Sequence, residues 1–165
     1  MRRLMMPALL SLVLGLALPA QAQNWSIFKS DRFGFAMLVA PGTKWVARDF
    51  GQGWGGIRAQ VGVLEFAAIV KLGYFAPPKE LGDAAVKLSG IPGSAWSKTD
   101  EGKRVAGWNW WQTYRVRNDA AGRVLFTVLG TGKRGSYILF LSTSQADLAA
   151  HSALYDQWYR NLTLY

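Results

Sequence analysis

The sequence predicts a single α+β domain: an antiparallel β-sheet packed by a central helix and a long C-terminal helix. Two observations carry that prediction. Three alternating segments follow one another between Val105 and Ser142, separated by turn-rich stretches, which is the pattern of an antiparallel meander. Two stretches of helical spacing flank it, one before the meander and one after it. A third observation says how such a domain is held together. The 165-residue chain has no cysteine, so a buried core rather than a disulfide framework must stabilise it, and a thiolate metal site is excluded.

The chain opens with Arg2 and Arg3, an apolar run from Ala8 to Leu18, and the small-x-small stretch Ala20-Gln21-Ala22. This is the layout of a secretory signal peptide over residues 1–22, cut after Ala22, and the run is too short to span a membrane. The expected mature chain, 23–165, is a single domain with no membrane span. Its expected location is periplasmic or secreted, and the Gln-Ala-Gln stretch at the cut favours the periplasm. A domain of this length buries roughly 70% of the surface its unfolded chain exposes.

The mature elements follow in order. Phe33 to Val39 alternates as a strand, and Pro41-Gly42 turns it. Lys44 to Phe50 is a short second strand, and Gly51 to Gly56 is a flexible loop or hairpin end. Ile57 to Phe66 alternates again, and Ala67 to Phe75 continues it or crosses over. Pro77-Pro78 opens the central helix, Leu81, Ala84, Ala85 and Leu88 recur at helical spacing, and Gly90 with Pro92 ends it. Gly93 to Lys103 is a loop with a short strand at Ala95 to Lys98. The meander then comprises Val105 to Arg117, Arg123 to Leu129 and Ser136 to Ser142. The last helix runs from about Gln145 to Asn161, opened by Ser144 and Asp147 at capping-box spacing. Its stripe of Leu148, Tyr155, Trp158, Tyr159 and Leu162 lies on the sheet.

This layout resembles the PsbP-like superfamily of small exported domains, which includes DcrB-type bacterial proteins. Phe33-Gly-Phe35 leading to Ala40-Pro41 and then Trp45 is similar to that family's "F-x-φ-x-x-P-x-x-W" opening. The central helix before a three-stranded meander, and a closing helix that ends Trp158-Tyr-Arg-Asn-Leu-Thr-Leu-Tyr165, match it in order. The resemblance implies an α/β/α sandwich and a non-enzymatic accessory or binding role. It supplies no shared catalytic residue. No acidic cluster here fits the metal binding of some plant members.

Composition narrows the partners. The full chain carries 19 basic and 10 acidic residues; loss of Arg2 and Arg3 leaves 17 basic and a net charge of +7. Such a surplus favours anionic partners, an acidic protein or an anionic envelope component, or else serves only solubility. Nucleic acid is in the wrong compartment. His151 is the single histidine, four residues after Asp147, and reads as a surface or boundary residue paired locally with it. Gly51 to Gly56 lacks the following helix that a phosphate loop requires. No catalytic, cofactor or metal residue is therefore assigned.

The segment above background is Gly107-Trp-Asn-Trp-Trp-Gln-Thr-Tyr-Arg-Val-Arg117. As one strand, it places Trp108, Trp110, Tyr114 and Val116 on one face and Asn109, Trp111, Thr113, Arg115 and Arg117 on the other. Trp111, Arg115 and Arg117 are the expected partner-binding residues, because tryptophan and arginine dominate binding hot spots and arginine clamps carboxylate or phosphate. The alternative buries Trp111 under a helix. Trp54, flanked by glycines, either projects as an outlying anchor or folds back as a plug. The expected function is an exported, non-catalytic binding or accessory protein. A periplasmic immunity or inhibitor protein is the close variant. A small hydrolase using scattered carboxylates or His151 is the rival.

Overall fold

The computed structural model describes residues 24–165. The signal peptide predicted over residues 1–22 lies outside the described residues. Ten strands and two helices follow in the order β1 (Ser26–Ser30), β2 (Phe35–Val39), β3 (Val46–Gly51), β4 (Trp54–Val61), β5 (Leu64–Leu72), α1 (Pro78–Ser89), β6 (Trp96–Val105), β7 (Trp108–Asn118), β8 (Arg123–Gly132), β9 (Gly135–Ser144), α2 (Gln145–Arg160) and β10 (Thr163–Leu164). The predicted α+β class is observed. The strands form two antiparallel sheets, one of seven strands ordered β3-β4-β5-β9-β8-β7-β6 and one of three ordered β1-β2-β10. The small sheet arises because the Phe35–Val39 segment pairs with the polar lead-in and with the C-terminal tail instead of joining the meander.

Tight hairpins account for most of the other differences. Gly51 pairs with Trp54, so the turn is only Gln52-Gly53 and the rest of the expected Gly51–Gly56 loop belongs to β4. Both turn residues have positive φ, 54° and 79°, as the commonest two-residue hairpin turn requires. The expected strand Ile57–Phe66 is two strands, β4 and β5, joined at Gly62-Val63. Val61 and Val63 are both apolar, and this hides the turn from an alternation argument. The expected loop Gly93–Lys103 is mostly β6, a ten-residue edge strand whose polar, largely exposed sequence carries no burial signal.

Strand β9 sits between β5 and β8, and all of it except Ser144 is buried. Its side chains divide the interior. Ile138 and Phe140 join Leu81 and Ala85 of α1, with Ile69 and Leu129, in one core. Leu139 and Leu141 join Tyr155 and Trp158 of α2, with Phe126 and with Phe35 and Met37 of β2, in the other. Successive residues of a strand point to opposite faces, so α1 covers one face of the large sheet while α2 and the small sheet cover the other.

The helix ends follow their sequences. Pro78 occupies the first turn of α1, and Gly90 closes it in the left-handed conformation with its N–H on the Val86 carbonyl at 3.1 Å. The Ser144 hydroxyl accepts from the Asp147 N–H at 3.1 Å, as the capping-box spacing predicts. Helix α2 is kinked at His151, where φ is −133° and ψ is 27°. No helix among the described residues is long and apolar enough to cross a membrane.

Candidate functional site

Strand β7 builds one wall of a cleft of about 480 Å³. Its register on β8 shifts between Trp108 and Trp110, which leaves Asn109 as an extra, bulged residue. Trp108 pairs with Gly132 and Trp111 with Gly130, so these two tryptophans face the same way. The strict alternation expected for this segment is thereby corrected. Trp108 joins Trp111, Thr113 and Arg115 on the α2 face, while Trp110 and Tyr114 pack on the α1 side.

The opposite wall is the second half of α2 and its exit, Asp156, Tyr159, Arg160 and Leu162; Thr99, Asp100, Val105 and Ala106 of the β6–β7 hairpin form the rim. The volume lies in the usual range of small-ligand sites. Trp111 lies flat on Gly102, its partner across β6; a Cβ at that glycine would come within 2.6 Å of the indole. The Trp111 indole N–H is buried and has no hydrogen-bond partner among the described residues. The Tyr159 hydroxyl donates to the Tyr114 carbonyl at 2.7 Å, and burial raises its pKa far above the usual phenol value. Thr113 and Thr99 share a hydrogen bond at 2.8 Å beneath the rim.

Charge in the cleft is balanced rather than uniformly positive. Arg115 and Arg160 are matched by Asp100 and Asp156. The Arg115 guanidinium is stacked on Phe126, 5.2 Å from its ring centre, and is 3.8 Å from the Asp156 carboxylate. That separation is longer than a hydrogen bond, and both side chains are about half exposed or more, so solvent screens the pair. A planar guanidinium held by an aromatic ring and only loosely by its carboxylate can re-pair with an incoming carboxylate or phosphate.

Of the four residues singled out in the sequence, the cleft brings together two, Trp111 and Arg115. Arg117 lies further along β7 outside the cleft, 3.4 Å from Asp119. Trp54 is 7% exposed and packs in the α1-side core, with the Lys71 ammonium 5.8 Å from its ring centre, so it takes the plug alternative and not the projecting one. Sequence reasoning missed Asp156 and Arg160. They are spaced i,i+4 on a helix predicted to cover this sheet, which was the available signal. It also missed Thr99 and Asp100, because β6 was read as a loop.

His151 sits at the kink with its Nδ1 3.0 Å from Asp147, as their spacing predicts. Asp147 also accepts from Thr143 at 2.7 Å and from the Tyr155 hydroxyl. Burial raises the Tyr155 pKa strongly and the Asp147 carboxylate adds to the effect. For Asp147 itself burial acts upwards too, but the bonds from Tyr155, Thr143 and His151 outweigh it and hold the carboxyl below its ordinary range. The His151 Nε2 is buried and no hydroxyl donates to it among the described residues. No group of three His, Asp or Glu that could hold a metal ion comes together among the described residues.

No protein-family model and no curated protein matches this chain. Among solved structures it is similar to the solution structure of cyanobacterial PsbP (CyanoP) from Synechocystis sp. PCC 6803, with a TM-score of 0.54 and 15% sequence identity over 86% of this chain and 92% of that one. The fold is PsbP-like, as the order of elements in the sequence suggested.

Proposed function

We propose that this chain is an exported, non-catalytic binding protein of the bacterial periplasm, an α/β/α sandwich that engages a protein or an anionic envelope component through the cleft between β7 and α2. The observation that carries the reading is the convergence of Trp111 and Arg115 with Tyr159 and Asp156 in one cleft of about 480 Å³. Trp111 and Tyr159 supply aromatic surface for burial, which is where interface affinity concentrates. Arg115 supplies orientation by exchanging its loose contact with Asp156 for a partner's carboxylate or phosphate. Arg117, two residues along the strand, stands outside the cleft beside Asp119 and supplies a second guanidinium for a partner that reaches beyond it.

The test is recovery of partners on the immobilised chain from native envelope extract, with Trp111→Ala and Arg115→Ala run in parallel. A stoichiometric partner lost in both variants supports the reading. A partner retained by both removes the cleft from it, and a bait that binds nothing removes the protein-partner limb. One observation favours a second reading: Asp100 and Asp156 line the same cleft, so a carboxylate hydrolase is its rival. Glycoside or ester hydrolysis abolished by Asp156→Asn with folding intact would establish that alternative.

A further inference from the structure

The charges that make this protein basic are not evenly spread. Three turns meet at one end of the large sheet: the β6–β7 turn, the β8–β9 turn, and the exit of β5. Trp108 pairs with Gly132, Gly132 with Gly135, and Gly135 with Leu72. The β1–β2 loop joins them, since Arg134 donates to the Asp31 carbonyl at 2.6 Å. Arg32, Lys103, Arg104, Lys133 and Arg134 are all exposed at this end. None of the five forms an ion pair among the described residues.

The carboxylates near this end bond to groups other than these five cations, and only Glu101 among them has a cationic partner. Asp31 accepts from the Tyr165 hydroxyl, Asp49 from the Gly51 N–H, Glu80 from Tyr74, and Glu101 from Lys98. The far end of the sheet is different. There Arg58 and Arg123 lie against Glu65, and Arg117 against Asp119.

Apolar side chains have the same bias. Seven large hydrophobic residues are exposed among the described residues, and four of them stand at the basic end: Leu72 at 49%, Phe75 at 54%, Val105 at 52% and Tyr165 at 41%. Val105 directly follows Lys103 and Arg104, and Leu72 lies across from the Lys133-Arg134 turn. Unpaired cations interleaved with exposed apolar side chains complement a surface that is anionic outside and hydrocarbon just beneath. An acidic protein would satisfy the charges but leave the four apolar groups without a purpose.

We infer that this end of the domain docks on an anionic phospholipid membrane, with Lys103, Arg104 and Lys133 at the phosphate layer and Val105, Leu72 and Phe75 entering the headgroup region. The inference goes beyond the cleft reading of the proposed function. It uses cations outside the cleft, so its failure leaves the cleft reading standing.

The test is co-sedimentation of residues 23–165 with vesicles of phosphatidylcholine containing phosphatidylglycerol, and with vesicles of phosphatidylcholine alone. The tip variant Lys103→Gln/Arg104→Asn/Lys133→Gln removes three charges, and asparagine suits the positive φ of 54° at position 104. The control Lys44→Gln/Arg58→Gln/Lys87→Gln removes three exposed charges elsewhere. Each basic residue at a membrane surface contributes about a factor of five, so the tip variant is expected to lose roughly a hundredfold in partitioning to the anionic vesicles. The control is expected to lose far less, and added salt to weaken the parent. Equal binding to both vesicle types by the parent would overturn the inference. So would a loss in the tip variant no larger than that in the control.

Discussion

Asp147→Asn tests whether the network at the start of α2 holds the helix that forms the cleft wall. Asp147 is 21% exposed and its carboxylate receives bonds from Thr143, Tyr155 and His151. Bonds to a charged acceptor contribute about 1.5–3 kcal/mol each, and asparagine keeps the shape and one acceptor oxygen but turns the other position into a donor. The expected loss is about 3 kcal/mol at neutral pH. Unfolding entropy near 2 cal/mol/K per residue over about 140 residues turns that into a melting temperature lower by about 10 °C. The pH dependence has a definite sign. The folded carboxyl titrates below its ordinary value, so its contribution is complete above the unfolded pKa of about 3.9 and disappears as pH falls through the lower, folded value. Urea unfolding of parent and variant from pH 7 down to pH 2 measures the gap between them. It should be constant above about pH 5 and shrink in acid. A gap below about 1 kcal/mol at neutral pH, or one that does not change down to pH 2, would refute the reasoning.

Three further substitutions probe the cleft and the tail. Gly102→Ala forces the Trp111 ring off β6 and should cost about 1–3 kcal/mol, seen as a lower urea midpoint with a shift in tryptophan emission; an unchanged spectrum would mean that the ring is not seated there. Tyr159→Phe leaves the Tyr114 carbonyl without its donor and should cost about 1–2 kcal/mol with an unchanged denaturant slope. Gly107→Ala combines a φ of 84° with a Cβ driven into the Leu164 carbonyl, and should cost at least about 2 kcal/mol. Hydrogen exchange should find Leu164 and Tyr165 deprotected in it; protection equal to the parent's would contradict the geometry.

The parts of the fold legible in the sequence were those where pattern and burial agree. Helix α1 has proline at its start, glycine at its end and an apolar stripe between, and all three act as read. Strand β9 reads as an apolar run because both of its faces are covered. Legibility failed where a strand has no burial signal, as in β6, and where a turn is flanked by apolar residues, as at Gly62-Val63. The cleft was half legible. The mixed tryptophan and arginine composition of β7 pointed to Trp111 and Arg115, but the bulge at Asn109 reverses the side on which Trp108 falls, and no periodicity argument anticipates an extra residue. Trp54 looked exposed because its sequence neighbours are glycines. Its true neighbours come from the α1-side core, distant in sequence.

Residues 162–165 have a role out of proportion to their number. Leu164 pairs with Phe35 in the small sheet while its N–H donates to Ala106 at 2.8 Å, and Tyr165 donates to Gly34 at 2.9 Å. The Leu162 carbonyl meanwhile receives the indole N–H of Trp108 at 3.3 Å. The final strand therefore joins the first hairpin to the rim of the large sheet, across almost the entire length of the polypeptide. Contacts between segments so far apart in sequence carry a large loop-closure cost, so this seam is expected to form late in folding. Loss of the Leu164 side chain would therefore loosen the first hairpin and the rim of the large sheet together.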